Sequence, residues 1–216
     1  MISKKIITQI EKEAKRYFKG AWSCHDWSHI ERVKTLALHI GKKEKADLSI
    51  IEIASLLHDI GRKEEINSKG SFCHAEKGAE LARKILKKYN IDNQTIENIV
   101  HSIKSHRYRN NYIPKTIEAK VLYDADKLDA SGAVGIGRAF LFAGRVGARL
   151  HNDLQVDIEK TRAYTSEDTA FREFIVKLRK IKDKVLTKEG KRIARDRHKF
   201  MEYYFKRFWE EVKGIK

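Results

Sequence analysis

A single proline, Pro114, interrupts 216 residues in which Lys, Glu, Ile, Leu and Ala are abundant. Helix formers dominate and the strongest helix breaker is nearly absent, so the chain is expected to be all-α. Hydrophobic residues at 41% and charged residues at 35% describe a folded globular chain, not a disordered one. A chain of this length can bury a full core as one domain. No repeat, low-complexity tract or separating linker is visible. The expected organisation is therefore one domain over residues 1–216, with its core over about 22–140 and a C-terminal helical extension over about 165–213.

Apolar spacing locates the helices. Ile6, Ile10, Ala14 and Phe18 recur by fours, which predicts a first helix from Ile2 to Phe18. Ile30, Val33, Ala37 and Ile40 predict a second over about Asp26 to Ile40, and a third starts at Asp47 or Ser49. The polar stretch from Arg62 to Ser71 reads as a loop. Helices are expected at His74 to Lys88, Asp92 to Ser105, from Pro114 into Asp129, and over Ala133 to Gly144. Arg149 to Thr165 reads as a loop or lid, followed by two helices, Ser166 to Val185 and Thr187 to Lys213.

The third helix has an unusual end. Ile53, Leu56, Leu57 and Ile60 are spaced to face a core, yet His58 and Asp59 lie among them. Gly61 then fits a C-cap in the left-handed conformation. Burying an imidazole beside a carboxylate is costly without compensation. Either the two are satisfied by hydrogen bonds, or a cation compensates them.

The formal net charge of +16 favours anionic partners: nucleic acid, nucleotides, polyphosphates or acidic lipid headgroups. Cys24 and Cys73 are the only cysteines and form no C-x-x-C motif, which fits a reducing compartment. Met1 to Gly20 is charged throughout, unlike a signal peptide, and no apolar run is long enough to span a membrane. A cytoplasmic location is expected.

Further candidate ligands flank the His58-Asp59 pair. His25-Asp26-Trp27-Ser28-His29 places two histidines four apart, which on a helix share a face. A zinc-protease motif would need Glu directly after the first of them, and Asp26 stands there. Asp124, Asp126 and Asp129 either cap the next helix or send at least one carboxylate to a metal. His74, His101 and His106 are either structural or further ligands.

Taken in order, His29, His58-Asp59 and Asp126 resemble the ligand pattern of the HD superfamily of metal-dependent phosphohydrolases. Four stretches are similar to the YedJ-type branch of small HD hydrolases. They are His25-Asp26-x-x-His29-x-x-Arg32-Val33, Leu56-Leu57-His58-Asp59-Ile60, Asp124 through Arg138, and Arg197-His198-Lys199-Phe200-Met201. The resemblance implies an HD-domain helical bundle in which His29, His58, Asp59 and Asp126 hold one divalent transition metal. Imidazole and carboxylate donors suit Mn, Fe, Co, Ni or Zn better than Mg. It further implies hydrolysis of nucleoside triphosphates to a monophosphate and pyrophosphate. Asp59, His25 and His101 are candidates for the catalytic chemistry, and Arg32, Arg62, Lys63, His106, Lys127 and Arg138 for holding phosphates. Some members carry an acidic residue three after the HD aspartate. Arg62 stands there, leaving Glu64 or Glu65 as substitutes.

Three alternatives stay open. One is a two-metal phosphodiesterase whose second ion sits on His74, His101 and His106, and another is a nucleotide monophosphatase. The third is a basic helical module that binds nucleic acid around a structural metal. The expected partner is a nucleotide or another phosphorylated small molecule, with no membrane. Self-association into a homo-oligomer stays open.

Overall fold

The computed structural model describes residues 2–20, 26–68, 71–107 and 112–216. These residues form helices and no strand, so the expected all-α class holds. Ten α-helices are used below: α1 Lys4–Lys15, α2 Trp27–Lys43, α3 Leu48–Leu57, α4 Arg62–Asn67, α5 His74–Leu86, α6 Asn93–Ser105, α7 Ile117–Asp129, α8 Gly132–Arg145, α9 Ala170–Val176 and α10 Lys188–Val212. No helix among the described residues is long and apolar enough to cross a membrane. The chain groups into two compact units, Met1–Asp126 with Leu186–Glu189, and Lys127–Val185 with Gly190–Lys216.

In the first unit α3 is central, packed against α1, α2 and α6, while α5 packs on α6 and α4. Its mean composition explains the position: Ile50, Ile51, Ile53, Ala54, Leu56 and Leu57 are all buried. Asp47 caps it by accepting from the N–H groups of Ser49 and Ile50. The Asp47 N–H itself donates to Glu118 Oε1 at 3.0 Å, and Asn98 Nδ2 donates to Glu118 Oε2 at 2.9 Å. One buried carboxylate thus fixes the start of α7 against α3 and α6. Asp126 lies eight residues further along α7, two turns on and on a similar face.

Three expectations change. Arg62 to Ser71 is not all loop, because α4 occupies Arg62–Asn67. Glu64 and Glu65 in its first turn complement the helix dipole, and Arg62 bonds to carboxylates three residues either side. Gly61 is not left-handed; its φ is −86°. What requires glycine is packing. A Cβ there would lie 2.4 Å from the His74 carbonyl oxygen and 2.6 Å from the Gly78 nitrogen. Finally, Ser166 to Val185 is not one helix but α9 followed by a 3-10 segment, Leu178–Asp183.

In the second unit the late start of α9 has a local cause. Asp168 accepts from the Tyr164 N–H and from Arg172, while Thr169 caps α9 and donates to Asn152 Oδ1 at 2.6 Å. These side-chain bonds to the backbone compete with helix formation. The same contacts, with Arg172 bonded to Thr161, tie down the segment expected as a loop or lid. Its core is aromatic: Phe174 stacks on Phe205 at 4.7 Å, and Phe171 and Trp209 join them.

Candidate metal centre

The first unit gathers four histidines around one buried carboxylate, Asp59. Asp26 caps α2 by accepting from the Ser28 and His29 N–H groups, which sets His29 in the first turn, fully buried. His58 follows the last residue of α3, and Asp59 lies in the turn that leads to Gly61 and α4. The His58 Nδ1 donates to the Ser55 carbonyl at 2.8 Å. A carbonyl only accepts, so Nδ1 carries the hydrogen and Nε2 presents its lone pair. That Nε2 lies 3.3 Å from His29 Nε2 and 3.9 Å from Asp59 Oδ2. His29 Nε2 is 3.8 Å from Asp59 Oδ2 and 3.5 Å from Asp126 Oδ1.

The other carboxylate oxygen faces a second pair. His74 Nε2 is 3.3 Å and His106 Nε2 is 3.6 Å from Asp59 Oδ1, and the two Nε2 atoms are 3.3 Å apart. Each ring is fixed from behind: His74 Nδ1 bonds to Glu65 Oε2 at 2.8 Å, and His106 Nδ1 donates to the Ile103 carbonyl at 2.6 Å. With Nδ1–H bound to acceptors, neutral rings turn two lone pairs toward one another. A metal cation between them would satisfy both, as would a donating water or proton. His29, His58 and Asp126 form one set of donor atoms close enough to share an ion, and His58, Asp59 and His106 form another.

The electrostatics favour ligand-ready rings. Burial pushes His58 down to about 3, with the neighbouring imidazoles adding to the shift against the opposing charge of Asp59. Burial also lowers His74, against the hydrogen bond it donates to Glu65. Burial pushes Glu65 up, but His74, Arg107 and Arg62 outweigh it and hold the carboxyl at about 2. A metal displaces no proton from an Nε2 that carries none, so these rings are prepared for coordination.

Arg62 is committed within this group. Its Nη2 donates to both Asp59 oxygens at 2.9 Å, its Nε to Oδ2 at 3.2 Å, and its Nη1 to Glu65 at 3.4 Å. Arg107 pairs with the other Glu65 oxygen at 2.7 Å and donates to Cys73 Sγ at 3.3 Å. Arg32 lies one turn beyond His29 and bonds Ser28 Oγ, and Lys63 is exposed on α4. His101 is not among the grouped donors. Its Nε2 accepts the Lys115 N–H at 3.0 Å, in a groove of about 490 Å³ that Asn98 and Thr116 also line. His25 lies outside the described residues. Lys127 and Arg138 belong to the second unit, where Arg138 Nη1 holds Asp129 at 2.5 Å.

The acidic run around Asp126 divides its tasks. Asp124 is buried and accepts from the N–H groups of Leu186 and Thr187 and from the Thr187 hydroxyl, which secures the entry to α10. Asp126 turns toward His29. Arg107 carries no sequence signal, since it follows the last turn of α6 and belongs to no periodic face. Glu65 and His74 are visible as residue types, but only the fold shows them as a pair.

Comparison with known proteins agrees with this arrangement. The HD domain family model matches residues 26–131, which contain all the side chains around Asp59. YpgQ of Bacillus subtilis (strain 168) is 34% identical over 197 residues, covering 89% of this chain and 87% of YpgQ. The crystal structure of YpgQ in complex with ADP superimposes with a TM-score of 0.75 at 33% identity, covering 98% of this chain and 97% of that one. An HD-superfamily hydrolase from Bacillus thuringiensis matches with a TM-score of 0.76 at 28% identity, covering 97% of both chains. The chain belongs to the HD superfamily. Its buried His/Asp clusters have the donor chemistry that a metal-dependent hydrolase of this superfamily needs.

Proposed function

We propose that this chain is a metal-dependent nucleotide phosphohydrolase that cleaves nucleoside triphosphates to monophosphate and pyrophosphate. The observation that carries the reading is the convergence of imidazole Nε2 atoms on the two oxygens of Asp59. The complex of the related YpgQ with ADP supports a nucleotide as ligand. His29, His58, Asp59 and Asp126 would hold one divalent transition cation (Mn, Fe, Co, Ni or Zn). When bound, it supplies Lewis acidity toward a phosphoryl oxygen and lowers the pKa of water. Arg62 orients Asp59 by gripping both its oxygens. Glu65 fixes the hydrogen of His74 on Nδ1, so that Nε2, beside Asp59 and His106, presents its lone pair as a proton acceptor. Arg32 and Lys63 supply positive charge for phosphate oxygens.

Product analysis tests this. Metal-stripped protein is reloaded with Mn, Co, Ni, Zn or Mg and offered nucleoside tri-, di- and monophosphates and a phosphodiester. Pyrophosphate release from triphosphates, dependent on a transition metal, is the expected result. Orthophosphate release confined to monophosphates, or no turnover with any metal, refutes the proposal.

The facing His74 and His106 favour a second reading, with another cation beside Asp59 Oδ1. Charge weighs against two resident ions. Asp59, Asp126 and Glu65 are opposed by Arg62 and Arg107, so one divalent ion already leaves the centre positive. A second is expected only together with an anionic nucleotide. A second tightly bound equivalent in nucleotide-free protein would replace the one-ion reading.

Glu65→Ala tests the support of His74. Removing the partner of a ligating or proton-accepting imidazole is expected to lower activity or metal affinity by about 10- to 100-fold. Tm should fall as well, because Glu65 also pairs with Arg62 and Arg107, so turnover and metal content are compared at a temperature where both proteins are folded. Unchanged turnover would exclude His74 from the chemistry.

A further inference from the structure

The outer face of α10 carries a basic stripe that the metal centre does not account for. Lys191, Arg195, Lys199 and Lys206 are exposed and, with Tyr203, follow one another at steps of four, four, four and three residues. Such steps keep them on one face over about 22 Å. Tyr203 is 68% exposed. The four cations have no ion pair among the described residues, whereas Arg207 on the same helix pairs with Glu211 at 2.6 Å. Of the acids on the same helix, Glu202 turns to His198 at 3.2 Å and Glu210 pairs with Lys216 at 3.3 Å, while Asp196 is exposed beside Arg195. The apolar face of the helix is already occupied, because Ile193, Ala194, Met201 and Phe205 are buried. Insertion into a lipid surface needs that face free, so the stripe suits a hydrated polyanion.

We propose that this face binds single-stranded nucleic acid, the four cations following successive phosphates and the Tyr203 ring stacking on a base. The formal charge of +16 supplies long-range attraction, and the stripe supplies the geometry. The proposal is independent of the phosphohydrolase reading, since none of its residues is placed in that centre.

The test is binding of a single-stranded RNA of about 20 nucleotides to the full chain between about 50 and 200 mM salt, read by fluorescence anisotropy. Four phosphate contacts predict a log–log salt slope of about −3 and a roughly 50-fold loss over that range. Replacing Lys191, Arg195, Lys199 and Lys206 by Gln is expected to flatten the slope and weaken binding by about 10-fold or more. Removing the same charge from the exposed Lys4, Lys5, Lys12 and Lys42 is expected to preserve both. Tyr203→Ala should weaken binding about five-fold or more at unchanged slope. Equal losses in the two quadruple variants, absence of RNA binding at the lowest salt, or stronger stripe-dependent binding to phosphatidylserine vesicles would overturn the proposal. Circular dichroism melts confirm that each variant is folded.

Discussion

Asp59→Ala is expected to reduce metal-dependent nucleotide hydrolysis by about 10³-fold or more and to strip the centre of its cation. Asp59 faces both imidazole pairs, through Oδ2 to His29 and His58 and through Oδ1 to His74 and His106. Its removal has a second consequence. Arg62, which binds both Asp59 oxygens, keeps its charge and is left beside the histidines with Asp126 and Glu65 to oppose it. A guanidinium in that position repels the incoming cation in a poorly solvated setting. The double variant Asp59→Ala/Arg62→Ala should therefore recover part of the metal affinity while remaining inactive. Metal content by elemental analysis and turnover by pyrophosphate release check the two halves separately. Full activity in Asp59→Ala would remove Asp59 from the site.

The helical class was legible because it rests on local quantities: scarce proline and apolar residues at three- and four-residue steps. The stretch Ile53 to Ile60 was legible for the same reason, since buried polar residues in an apolar run stand out. Side-chain partnerships across the fold were not. Arg62 reads as a phosphate ligand because it is a cation beside a presumed metal ligand, but its position three residues after Asp59 lets it reach back to that carboxylate. His101 stands apart from the histidines around Asp59, and helix geometry shows why. It precedes His106 by five residues, a rotation of about 140° around α6, so the two cannot serve one ion from one face. Its lone pair instead accepts the Lys115 N–H. Glu65, His74 and Arg107 meet only because α4 turns back along α5 and the segment after α6 arrives beside them. No periodic pattern encodes that meeting.

Gly61→Ala is expected to destabilise the fold by about 3 kcal/mol, a fall in Tm of about 6–12 °C. At φ −86° any L-residue is allowed, so backbone preference contributes nothing and the whole effect is steric. The added Cβ would meet the His74 carbonyl oxygen at 2.4 Å, the Gly78 nitrogen at 2.6 Å and the Gly78 Cα at 3.1 Å. All three are backbone atoms of α5, which cannot rotate aside as a side chain can. Relief requires α5 to retreat from the turn that carries Asp59, and His74 moves with it, away from its 3.3 Å approach to Asp59 Oδ1. Stability and activity should therefore fall together. Two other glycines calibrate the result. Gly78→Ala places its Cβ 3.3 Å from the His58 carbonyl oxygen and should cost about 1 kcal/mol, while Gly137→Ala on α8 meets nothing within 4 Å and should stabilise slightly. Thermal melts of the three variants should rank Gly61→Ala lowest and Gly137→Ala at or above the parent. A Gly61→Ala protein that melts with the parent would mean that α5 does not sit against the His58-Asp59 turn, and the second histidine pair would lose its place beside Asp59.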